Sequence, residues 1–208
     1  MEESMDRFSH VTLALLLACA ASSPVSATIY VFHGNPTGDQ ESPPSGSTGT
    51  GSVSVTYDDV AHTMTYEVFF SQLVAGTTAA HVHVRPDLLT PNGGVATTTP
   101  SFPGFPLGVT SGTFTNTFDM TLASSYNPAF LNNGVNLGNT STAEMTLLTA
   151  LFEGRGYFNI HSSTFPGGEI RANLALVPEP STWMTMLGGF AAVGFVIRRR
   201  KKAGLVAP

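Results

Sequence analysis

In Ala80-His81-Val82-His83-Val84 polar and apolar side chains alternate with a period of two, and the same alternation returns in several distant parts of the chain. Over Gly51–Tyr57 it sets Val53, Val55 and Tyr57 against Ser52, Ser54 and Thr56. Over Tyr157–His161 it sets Phe158 and Ile160 against Tyr157, Asn159 and His161, and over Gly168–Leu174 it sets Ile170, Ala172 and Leu174 against Glu169, Arg171 and Asn173. An extended strand sends successive side chains to opposite faces, so each segment buries one face and leaves a polar one. A helix would scatter these residues round its axis. The 21 glycines and 14 prolines supply the turns that short strands need, which excludes a long helical bundle.

Read along the chain, strands are expected at Thr28–Phe32, Gly51–Tyr57, Met64–Phe70, Ala79–Val84, Thr113–Met120, Tyr157–His161 and Glu169–Leu176. Asp58-Asp59 opens a turn. Gly34–Gly51 is a loop, and Arg85–Leu107 is a Thr, Pro and Gly-rich excursion too long for an ordinary connection, expected to be partly mobile and to expose Phe102 and Phe105. Gly51-x-Val-x-x-x-Tyr57-Asp58 and Gly112-x-Phe-x-x-x-Phe118-Asp119 share a pattern. Ser141-Thr142-Ala143-Glu144 fits a capping box, with Gly154 placed to stop the single helix it opens. The expected fold is all-β, an antiparallel Greek-key sandwich or barrel with one short helix.

The ends carry different signals. Arg7 and His10 precede an apolar run, Val11–Ala21, followed by Val25-Ser26-Ala27, which reads as a secretory signal over 1–27 cleaved before Thr28. Leu16-Leu17-Ala18-Cys19 offers the alternative of lipidation at Cys19, the only cysteine. After ordinary cleavage no disulfide or thiolate ligand remains. Over 28–177 ten carboxylates face three arginines and no lysine, so no basic stripe exists to bind nucleic acid, and cations are the expected small partners.

At the other end, residues 183–197 form an apolar segment opened by Trp183 and closed by Arg198, Arg199, Arg200, Lys201 and Lys202, a pattern that anchors a membrane helix with its basic end in the cytoplasm and the body outside. Val177-Pro178-Glu179-Pro180-Ser181-Thr182-Trp183, the apolar segment and the basic cluster together resemble the PEP-CTERM sorting signal of Gram-negative bacteria that make exopolysaccharide. The resemblance implies that an exosortase reads Pro178, Glu179 and Pro180 within a tail over 177–202, removes the membrane segment and delivers the protein to the surface or matrix.

Between these ends, over 28–176, the alternation aims His81 and His83 to one side. If Ser162-Ser163-Thr164-Phe165-Pro166-Gly167-Gly168 closes a hairpin, His161 pairs with Glu169, Asn159 with Arg171 and Tyr157 with Asn173. Two readings follow. His81, His83 and His161 form a three-nitrogen site for Zn or Cu with Glu169 or Glu41 as an oxygen ligand or supporting partner, or the histidines bond to Glu169, Asn159 and carbonyls as a satisfied polar cluster. Glu41 is a ligand, a cap for backbone amides, or the partner of Arg171, while His33 and His62 read as loop or turn residues.

Gly34-Asn35-Pro36-Thr37-Gly38-Asp39-Gln40-Glu41-Ser42-Pro43-Pro44, then Thr78-Ala79-Ala80-His81-Val82-His83-Val84, then residues 154–174 resemble successive blocks of the CHRD domain, over Ile29–Leu174. The resemblance implies a predominantly β, extracellular domain; bacterial members carry no assigned activity. Val84-Arg85-Pro86 departs from a usual Gly-Pro turn, and Ala172-Asn173 stands where Gly is common. The His-x-His strand is also similar to that of copper-zinc superoxide dismutases, a likeness of fold alone.

No nucleophile elbow, phosphate-binding lysine loop or HExxH motif appears, and Asp58 and Asp59 alternate to opposite faces, so they cannot flank a glycosidic bond together. The expectation is a non-enzymatic structural or binding module, exported, anchored facing outward and then released to the cell surface or exopolysaccharide matrix. The alternatives are a metal module using the three histidines, and adhesion through Phe102 and Phe105.

Overall fold

The computed structural model describes residues 27–178 together with 189, 190, 195 and 198. Among the described residues nine strands form two antiparallel sheets around one hydrophobic core. They are β1 (Ile29–Gly34), β2 (Thr50–Asp58), β3 (Thr63–Ser71), β4 (Thr77–Val84), β5 (Gly94–Val95), β6 (Gly112–Asp119), β7 (Gly156–Ser162), β8 (Ile170–Asn173) and β9 (Ala175–Val177). The five-stranded sheet runs β6-β3-β2-β1-β9 and the four-stranded sheet runs β5-β4-β7-β8.

The alternating segments bury the expected faces. Val53, Val55 and Tyr57 of β2 and Val82, Phe158 and Ile160 of β4 and β7 all lie in the shared core. The repeated pattern of β2 and β6 has a structural counterpart, because the two strands flank β3 from opposite sides and Gly51 and Gly112 both stand opposite Phe70. A Cβ on Gly51 would meet the Phe69 carbonyl at 2.4 Å, and one on Gly112 would meet the Phe70 ring at 3.0 Å. Close backbone approach therefore fixes glycine at position 51, while the Phe70 and Pro106 side chains crowd position 112.

Five expectations are corrected. Glu169–Leu176 is not one strand: the chain leaves the four-stranded sheet after Asn173, buries Leu174, whose amide bonds the Gly156 carbonyl at 3.1 Å, and joins the other sheet as β9 beside β1. Two α-helices are present among the described residues, α1 (Pro128–Leu131) and α2 (Thr140–Phe152). The cap of α2 is Asn139, whose side chain accepts from the Thr142 amide at 3.0 Å, while Glu144 turns inward to accept from the Tyr57 hydroxyl at 2.7 Å. His33 lies within β1, whereas His62 occupies the β2–β3 turn with φ of 52°.

The fifth correction bears on function. Residues 85–107 are stitched to the sheets, with β5 pairing to β4, Ala96 donating to the Val82 carbonyl at 2.8 Å and Phe102 donating to Ala80 at 3.1 Å. Phe102 and Phe105 are buried at 2% and 5% exposure, so they offer no adhesive surface. Phe102 packs within 4.6 Å of Tyr66 and 5.2 Å of Phe118, ring centre to ring centre. The prolines and glycines that gave this stretch its loop-like composition turn it repeatedly while its aromatics complete the core.

The expected signal segment, Glu179 and Pro180 of the sorting motif, most of the membrane segment, and Arg199, Arg200, Lys201 and Lys202 lie outside the described residues. Gly189, Phe190, Phe195 and Arg198 are helical, and no helix among the described residues is long and apolar enough to cross a membrane. Truncating the buried Phe102 leaves a cavity beneath β3 and β6, so Phe102→Ala is expected to lower unfolding free energy by about 3–5 kcal/mol in urea titrations. A loss within experimental error would mean that the 85–107 segment does not belong to the core.

Candidate metal centre

Strands β4 and β7 build the centre. Their register pairs Ala79 with His161, His81 with Asn159 and His83 with Tyr157, which sets three imidazoles on the face opposite Val82, Phe158 and Ile160. Ring centres of His81 and His83 are 4.7 Å apart, as are those of His81 and His161, and His83 and His161 are 6.1 Å apart. One nitrogen from each ring lies within 4.8 Å of the others, and no fourth His, Cys, Asp or Glu among the described residues joins the group.

Each ring is held from behind by a backbone carbonyl. Nδ1 of His81 lies 3.3 Å from the Pro100 oxygen, Nδ1 of His83 lies 2.9 Å from that of Gly93, and Nδ1 of His161 lies 2.9 Å from that of Pro166. A carbonyl only accepts, so each Nδ1 must carry the hydrogen. The lone pair of every neutral ring is then left on Nε2. Nε2 of His81 and His161 stand 2.9 Å apart, and Nε2 of His83 is buried without a partner. Two lone pairs at that separation repel unless a proton or a cation lies between them.

A proton is disfavoured there. Burial, with the neighbouring His83 and His161 rings adding to it, pushes His81 down to about 3 despite the Pro100 carbonyl. Burial pushes His83 down to about 4 against the Gly93 carbonyl, and burial lowers His161 as well. The rings are therefore neutral at ordinary pH, the form that binds metals.

The remaining polar residues divide between support and separate duty. Arg171 lies 3.4 Å over the Tyr157 ring, and Tyr157 stacks on His83 at 4.7 Å and 6°. The guanidinium also donates to Asn92 Oδ1 at 2.9 Å and to the Pro91 carbonyl at 2.6 Å, while the Tyr157 hydroxyl bonds the Gly93 amide at 3.1 Å. Arg171 and Tyr157 thus clamp the segment whose Gly93 carbonyl orients His83. Asn159 touches both Glu41 and His83, yet its Oδ1 and Glu41 Oε1 are buried without partners. Burial raises the Glu41 carboxyl to about 7, opposed by Arg171 and Asn159.

Glu169 is placed otherwise than expected. The β7–β8 ladder holds at Tyr157–Asn173 and Asn159–Arg171 but ends at Ile160–Ile170. Gly168, at φ of 132°, turns the backbone so that fully buried Glu169 accepts from Ser47 Oγ at 2.7 Å and from the Val74 amide, away from the imidazoles. The supporting carbonyls of Gly93, Pro100 and Pro166 escape sequence reasoning because every residue has one. Tyr157 was legible on the polar face, but its stacking role was not.

The protein is a small two-sheet β domain that gathers neutral imidazoles on one sheet face. The CHRD domain model matches residues 32–174, most of the chain, and the chain belongs to that family. The PEP-CTERM protein-sorting motif matches residues 176–201, which marks the protein as an exosortase target sorted to the surface. No curated protein and no solved structure matches the chain.

The depressed histidines fix the sign of a pH effect. The unfolded chain takes up protons near pH 6.5 and the folded one resists, so their stabilisation is present above about 6.5 and is lost as pH falls toward about 3. Glu41 acts oppositely, its contribution being present below about 4.5 and lost as pH rises through about 7. Three rings outweigh one carboxyl, so the melting temperature of chelator-treated protein should drop as pH falls between 6.5 and 4.5. A flat profile there would contradict the burial of the rings.

Proposed function

We propose that this protein is an exported, non-enzymatic binding module, delivered to the cell surface through its sorting signal, that holds a transition-metal ion on Nε2 of His81, His83 and His161. One observation carries the reading: three carbonyl-pinned imidazoles each bring a nitrogen within 4.8 Å of the others, where protonation is disfavoured. A satisfied polar cluster would use those nitrogens in hydrogen bonds, whereas His83 Nε2 has no such partner and the 2.9 Å pair of His81 and His161 is repulsive when both rings carry their hydrogen on Nδ1. Imidazoles suit Zn or Cu, and the bonds to carbonyls behind them raise their basicity and fix their orientation.

The sorting motif supports the setting. On this reading the chain crosses the membrane through residues 183–197, stays anchored with its body outward, and after exosortase processing resides on the surface or in the exopolysaccharide matrix. Its lack of basic residues over 28–177 apart from Arg85, Arg155 and Arg171 suits a partner that is a cation.

The full-length protein, stripped with chelator and reloaded with Zn(II) or Cu(II), should retain about one equivalent after dialysis. His81→Ala and His161→Ala should each lose it while keeping the circular dichroism of the parent. Arg171→Ala, which frees the Pro91–Gly93 segment, should weaken binding by about 10- to 100-fold. Retention below one tenth of an equivalent by the parent, or equal retention by both histidine variants, would overturn the reading.

A further inference from the structure

The metal reading leaves open which ion the three rings favour, and their spacing bears on it. Nε2 of His81 and His161 are 2.9 Å apart, and both rings are anchored from behind, His81 to Pro100 and His161 to Pro166. At metal–nitrogen bonds of about 2.0–2.1 Å, such a pair subtends about 90° at a shared ion, whereas a tetrahedral angle needs a separation of about 3.3 Å. Right angles belong to square and tetragonal coordination, the preference of Cu(II) and Ni(II), and copper binds nitrogen donors more tightly than nickel. Zinc, which favours a tetrahedron, would have to spread the two rings against their carbonyl bonds.

The donor set also limits what completes the sphere. Three neutral imidazoles leave both charges of a divalent ion unmet, and no further His, Cys, Asp or Glu among the described residues joins the group. His161 is only partly buried, so the third ring faces the solvent side of the patch. The unpartnered Asn159 Oδ1 and Glu41 Oε1 lie in the same polar patch.

We propose that the bound ion is copper(II) in a square or tetragonal arrangement, with His81 and His161 at adjacent positions and at least one position held by a small exchangeable ligand, water or an anion. This rests on the metal reading above and specifies its ion and its open side. The inference concerns binding alone and requires no electron transfer.

Full-length protein offered equimolar Zn(II) and Cu(II) should retain copper over zinc by at least about tenfold. Its electron paramagnetic resonance spectrum should be axial, with superhyperfine structure from three nitrogens. Added sodium azide should shift that spectrum and give a new absorption band. Retention of zinc against copper, or a strongly tetrahedral copper spectrum, would overturn the copper assignment while leaving a metal site intact. Copper bound tetragonally but unchanged by azide would overturn the open position. Failure to retain either ion would sink the underlying metal reading itself.

Discussion

The antiparallel pairing of Thr77–Val84 with Gly156–Ser162 is the interaction on which both the core and the centre rest. Its inner face supplies Val82, Phe158 and Ile160 to the core, and its outer face carries His81, His83, Asn159 and His161. A slip of one residue would send every side chain of a strand to the other face, exposing the apolar set and burying imidazoles among aliphatics. The energy that holds the core in register therefore also holds the rings together. A site built this way needs no cooperative folding of its own.

The outer face would be an ordinary wet surface if residues 85–107 did not fold back over it. The Arg171–Tyr157–His83 stack and the bonds to Pro91, Asn92 and Gly93 fasten that segment, and its carbonyls then take the three-dimensional role of positioning two of the rings. Burial, to which this segment contributes through its contacts with His81 and His83, depresses the ring basicities. Covering the histidines and holding them neutral are thus one physical event. Unpaired Asn159 Oδ1, Glu41 Oε1 and His83 Nε2 are the cost, since buried acceptors without donors destabilise a fold unless a ligand or water meets them.

Much of this was legible from alternation alone. The faces of β2, β4, β7 and β8 follow from period two, and the β7–β8 register follows from the short connection between them, which is why His161, Asn159 and Arg171 fell on the correct side. What failed did so for identifiable reasons. Glu169 was misplaced because a glycine at an unusual backbone angle ends the alternation one residue early. Phe102 and Phe105 were read as exposed because prolines and glycines dominate their surroundings, and composition does not reveal that a long connection packs under a sheet. The helix cap shifted to Asn139 because asparagine and serine compete as caps two positions apart. The membership and the sorting signal rested on longer motifs and held.

The domain over 28–177 is acidic and free of lysine, and of its three pinned imidazoles His161 is partly exposed. The feature underneath every functional statement is the tautomer of those rings. Long-range proton–nitrogen correlation spectra of the metal-free, nitrogen-15-labelled chain at about pH 7 report it directly for each histidine. Hydrogen on Nδ1 of His81, His83 and His161, with bare Nε2, is the expected pattern. Hydrogen on Nε2 of His81 or His161, bridging the pair as a simple hydrogen bond, would contradict it.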